Sequence, residues 1–88
     1  NYPNPFNPET TIPFAVPADA ILLPVQISIY NISGQLVRQL LEREVSAGLH
    51  EVQWDALDER GSRVSSGIYF YRLESGNRVL SRSMMLLK

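Results

Sequence analysis

The residues able to do chemistry are few, and they are scattered. The only histidine is His50. It lies in an alternating stretch, Leu49 to Asp55, on the same side as Val52 and Trp54, where a strand-end histidine is the ordinary reading and a catalytic or metal-ligating one the exception. Asp55, Asp58 and Glu59 offer oxygen ligands of the kind calcium takes, but acids at that spacing in a polar turn are normally solvated loop residues. No serine sits in a Gly-x-Ser-x-Gly elbow, and no glycine-rich loop is arranged to cradle phosphate. Trp54, Tyr69, Phe70 and Tyr71 are candidates for a sugar-stacking platform. Core packing explains Trp54, Tyr69 and Tyr71 better, because each falls on an apolar strand face. A non-enzyme is therefore expected, with no catalytic residue, no cofactor and no metal.

The whole chain narrows the field further. Eighty-eight residues make one domain with a modest core. Hydrophobic residues are 44% of the total, near the globular average, which argues against disorder. Eight basic and nine acidic residues leave a net charge of −1, so nothing draws the chain to nucleic acid or an anionic membrane. Cysteine is absent, which removes disulfides and thiolate metal sites. The single lysine is Lys88, so a buried lysine–asparagine cross-link is not expected. No signal peptide and no initiating methionine are visible, and the chain reads as a piece of something longer.

These residues need a scaffold, and alternation supplies one. The longest aromatic and β-branched run is Gly67-Ile68-Tyr69-Phe70-Tyr71-Arg72-Leu73. It reads as a strand in the middle of a sheet, with Tyr69, Tyr71 and Leu73 inward. Residues 1–8 form an Asn/Pro-rich lead-in anchored by Tyr2 and Phe6, and residues 9–88 the domain. Residues 9–16 predict a strand with Ile12, Phe14 and Val16 on one face. Pro13 cannot donate to a ladder and puts that strand at an edge or beside a bulge. Pro17 to Ala20 reads as a turn. Ile21 to Tyr30 is a strand with Val25, Ile27 and Ile29 inward. Asn31-Ile32-Ser33-Gly34 is a hairpin turn, with Gly34 free to take positive φ.

In residues 35–44, Leu36, Val37, Leu40 and Leu41 fit a helix as well as a bulged strand. The tight turn feeding the segment favours the strand. Residues 45–48 read as a break, residues 49–55 as a strand with Val52 and Trp54 inward, and residues 63–65 as a short strand. The last strand spans residues 78–88. Its end, Met84-Met85-Leu86-Leu87, is apolar on both faces and suits insertion between neighbours. Six or seven short strands with turns every 8–12 residues predict an all-β, small antiparallel immunoglobulin-like β-sandwich without a disulfide. The expected core is Phe14, Ile27, Ile29, Val52, Trp54, Tyr69, Tyr71 and Leu73.

Several motifs then fall in one order. They are the opening Asn1-Tyr2-Pro3-Asn4-Pro5-Phe6-Asn7-Pro8-Glu9-Thr10-Thr11-Ile12, Ile29 to Val37, Ala47 to Asp55, Ser66 to Leu73, and the closing Met84 to Lys88. Together they resemble the C-terminal sorting domain of bacterial type IX secretion cargo, and the related immunoglobulin-like domain of the flagellar hook-capping protein. The first resemblance implies a non-catalytic C-terminal domain that directs an upstream cargo domain across the outer membrane, to the medium or the cell surface. Its partners would be the outer-membrane secretion machinery and, in many members, a cell-surface transpeptidase that removes the domain. Met84, Met85, Leu86, Leu87 and Lys88 would carry recognition, and Gly34, Gly48, Gly67 and Tyr69 match structural positions. One departure is Arg82-Ser83, where that family often has a lysine. The second reading is a retained accessory domain of a secreted enzyme, structural or carbohydrate-binding.

Overall fold

The run that opened the scaffold is the inner strand of the larger of two sheets. The computed structural model describes residues 10–18 and 22–87. Six strands follow in order: β1 (Thr10–Val16), β2 (Leu22–Tyr30), β3 (Leu36–Ser46), β4 (Gly48–Trp54), β5 (Gly67–Ser75) and β6 (Arg78–Leu86). One antiparallel sheet has the order β3-β2-β5-β6, and β1 pairs with β4 in the other. The chain thus changes sheet after β1, after β3 and after β4. The small all-β immunoglobulin-like sandwich without cysteine expected from the sequence is the fold observed.

Alternation sets the core. Ile12, Val16 and Trp54 of the small sheet meet Val25, Ile27, Ile29, Val45, Tyr69, Tyr71, Leu73 and Leu86 of the large one. Ala56 from the following loop completes the layer. Phe14 and Val52 are only partly buried and pack against this core from the small sheet. Both strands of a two-stranded sheet are edges, so inward side chains there stay open at the side. The sheets also differ in width. Strands lie about 4.8 Å apart, so four span roughly 14 Å between outer axes and two span only about 5 Å. The small sheet cannot cover the large one. β6 lies at the uncovered margin, where Leu80 of its inward row is still 40% exposed.

Three further expectations change at this point, and the bulged strand favoured for residues 35–44 is observed. The β6 end is not inserted between neighbours. Among the described residues β6 pairs with β5 alone, and its apolar end splits by pleat, with Leu86 3% exposed against 64% for Met85 and 71% for Leu87. Val45 belongs not to a break but to β3, and it is buried. Residues 63–65 form no strand, only an isolated bridge from Leu57 to Arg63. The helix-like spacing of 36–41 comes from two register irregularities against β2, which leave Val37 and Leu40 without Cα partners. An extra residue at each place restores an inward side chain and twists the strand.

The turns follow local chemistry. Asn31 Oδ1 accepts from the Ser33 and Gln35 amides at 3.0 and 2.9 Å, and Gly34 takes φ +83°. Between β5 and β6, Gly76 holds φ +60° as the first of two loop residues, as a type II′ hairpin needs. Residues 1–9, the Asp19-Ala20 part of the predicted turn, Ile21 at the start of the expected second strand, and Lys88 lie outside the described residues.

Candidate functional site

The polar residues singled out as candidates are gathered mainly by the loop between β4 and β5. Trp54 is fully buried, stacks edge-on against Tyr69 with ring centroids 5.3 Å apart, and donates from Nε1 to the Leu57 carbonyl at 3.0 Å. That bond turns the chain sharply after β4, and Ala56 takes φ +65° within the turn. Asp55 Oδ1 accepts from the Leu57 amide at 3.1 Å and from Arg38 Nη1 at 3.2 Å. Arg38 Nη1 also donates to the Leu57 carbonyl at 3.2 Å. The side chains of this ion pair are 29% and 44% exposed, so it adds at most about 1 kcal/mol and acts chiefly as a positional tie.

Farther along, Asp58 Oδ1 accepts from the Arg60 and Ser62 amides, both at 2.9 Å. The Ser62 amide, with help from Arg60, holds the Asp58 carboxyl below its ordinary range. Glu59 fastens the loop to β3. Its amide donates to the Val37 carbonyl at 3.0 Å, and its Oε2 accepts from the Gln39 amide at 2.5 Å. Val64 N donates to the Ala56 carbonyl, and Tyr69 Oη donates to the Ser65 carbonyl at 2.7 Å. A tyrosine that reaches back to the backbone just ahead of its own strand is a recurrent immunoglobulin-fold device.

The three acids considered as calcium ligands are thus each engaged by protein donors. Among the described residues no group of three or more His, Asp or Glu is placed to hold a metal ion. His50 donates from Nε2 to the Ser46 carbonyl at 2.7 Å and stacks on Phe14 at 5.4 Å, which locks the crossover from β3 to β4. Trp54, Tyr69 and Tyr71 are buried, as the core reading of these rings expected. Of that set only Phe70 is exposed.

Of the residues expected to carry recognition at the C-terminal end, the four described, Met84 to Leu87, are split between two faces. Leu86 is a core residue, Met84 packs half-buried beside it, and Met85 and Leu87 face outward. On the outer face of the large sheet, Phe70 lies across from Tyr30 and Ile68 across from Met85. The feature that residue-by-residue reasoning missed is the flank between β1 and β6. There a groove of about 440 Å³ is lined by Phe14, Ala15, Pro17, Leu73 and Leu80 among others. Its only sequence signal was Pro13, which marked β1 as an edge.

Residues 7–78 match the family model of the FlgD Ig-like domain. No curated protein matches the chain, and no solved structure does. The family match overturns the type IX sorting expectation, because the matched family is the other of the two that the motifs resemble. The match also ends at Arg78, so Met84 to Lys88, on which the sorting reading leaned, lie outside it. Nothing in the comparisons supports an accessory domain of a secreted enzyme.

Proposed function

The chain belongs to the FlgD Ig-like domain family, and from that premise we propose that it is a non-catalytic protein-interaction module, related in role to the immunoglobulin-like domain of the flagellar hook-capping protein. The observation that carries the reading is the family match across residues 7–78. The local chemistry supports it. His50, Asp55, Asp58 and Glu59 each commit a polar atom to backbone or to Arg38, where they hold loops. A module of this kind works by presenting surfaces, as a domain of a larger extracellular or cell-surface bacterial protein.

Domain exchange tests this directly. The immunoglobulin-like domain of a hook-capping protein is replaced by residues 7–88, and hook completion and swimming are scored in cells lacking the native protein. The reading expects completed hooks and restored swimming. A chimera that accumulates, folds and is exported normally, yet leaves hooks uncapped, overturns it.

A further inference from the structure

A sheet edge presents unpaired backbone donors and acceptors, and folded proteins blunt such edges with proline, bulges, charge or a covering loop. Three of the outer strands here are managed in that way or are sheltered. β1 carries Pro13. β3 is irregular at two places and is fastened to the Glu59 loop. β4 is short and, of the strands of the large sheet, comes closest to β3. β6 is different. It runs for nine residues without proline and pairs with β5 at every position without a register shift.

The side chains of β6 say what can pair with it. Its inward row, set by pairing with Leu73, Tyr71 and Tyr69, includes Leu80, Arg82 and Met84, with Arg78 at its start. Arg78 and Arg82 are exposed, and neither has an ion-pair partner among the described residues. Four residues apart on one face, they stand about 13–14 Å from each other. Leu80 lies between them, over the groove lined by Phe14, Ala15, Pro17 and Leu73. β6 contains no acidic residue. Pairing with a second copy would bring two guanidinium groups from each chain, and no carboxylate, to one seam. That is a like-charge penalty against self-association.

The geometry points to β6 as a docking edge for an extended acidic strand of a partner protein. The strand carries carboxylates at positions i and i+4 that pair with Arg82 and Arg78, and an apolar residue at i+2 that enters the groove beside Leu80. Backbone hydrogen bonds supply the affinity, and the arginine pair supplies register and the choice of charge. The assignment rests on the interaction-module reading and names the partner chemistry for one of its surfaces. β6 beyond Arg78 also lies outside the family match.

The probe is a nine-residue acetylated peptide with glutamate at its third and seventh positions, leucine at the fifth, and threonine or valine elsewhere. It is titrated into the ¹⁵N-labelled 88-residue chain. Amide shifts confined to β6 and the groove are expected, with new exchange protection along β6. Affinity should fall by about tenfold for Arg78→Glu/Arg82→Glu, whose spectrum otherwise overlays the parent's. It should fall likewise for a peptide with lysines at the third and seventh positions. Methylation of the peptide amides on one side should abolish binding. No binding, equal binding of the methylated or lysine peptides, or shifts centred away from β6 overturns the proposal. So does a dimer that excludes the peptide. This readout involves no flagellar component, so its failure and that of the hook exchange are separable.

Discussion

The two flanks of the sandwich solve the same problem in opposite ways. On the β3 side, the bulged strand and the loop beside it are tied together by hydrogen bonds. Arg38 bridges Asp55 and the Leu57 carbonyl, Glu59 holds the backbone of Val37 and Gln39, and Trp54 and Tyr69 pin both ends of the intervening loop. On the β1–β6 side there is a groove in place of a loop, two unpaired strand edges, and two arginines without carboxylates among the described residues. A 12-residue-scale loop costs conformational entropy to order, and the bonds on the first flank offset it. The second flank spends no such bonds and keeps its backbone groups available. Rigidity on one side and availability on the other suit a module that must hold its shape while another chain pairs with it.

The largest break in this contrast is Trp54→Ala. It empties the centre of the stitched flank and removes the donor to Leu57. A loss of about 4 kcal/mol is expected in urea unfolding, a large share of what a chain this size holds. Leu86→Ala probes the open flank at the one buried residue of β6. A loss of about 2–3 kcal/mol is expected, with amide shifts concentrated in β6 and its neighbour β5. Tyr69→Phe sharpens the comparison with a single atom. It leaves the Ser65 carbonyl without its donor and should cost about 1 kcal/mol by the same unfolding assay.

Asp58 gives the smallest and most specific effect. Its carboxyl is held below the ordinary value of 3.8, first by the Ser62 amide. A group with a depressed folded value contributes stability that is fully present above the unfolded value. That contribution is lost as the pH falls through the lowered folded one. Asp58→Asn should therefore flatten the stability profile below about pH 4 and leave the shape of the profile at neutral pH unchanged. An unchanged acid limb would show that the Ser62 and Arg60 contacts do not hold in solution.

Strand identity was largely legible because alternation is local. Ile27, Ile29, Tyr69, Tyr71 and Leu73 face inward, as their spacing indicates. The bulges of β3 were legible too, as the tie between helical and strand spacing at Val37 and Leu40. Sheet neighbours were not. Whether β6 lies inside a sheet or at its edge depends on pairing with residues far away in the chain, so four apolar residues in a row looked like an interior strand. Val45 was hidden by the turn-forming residues that follow it. Asp58 is the local turn acid it reads as, held by Arg60 and Ser62, but the roles of Asp55 and Glu59 were hidden because their partners, Arg38 and Gln39, lie 17 and 20 residues upstream, where no local pattern reaches them. The motifs narrowed the family to two relatives with one fold, and only the match to one of them decided between the two.

Native-state hydrogen exchange on the free chain tests the contrast most directly. If β6 is an unpaired edge, its amides will alternate, with those bonded to β5 protected and those between them exchanging as freely as in an open chain. The loop amides of Glu59, Ser62 and Val64 will be protected despite lying outside any strand. Uniform protection along β6, or free exchange at Glu59 and Val64, would contradict the account: the first would mean the edge is already occupied, the second that the stitched flank is not stitched.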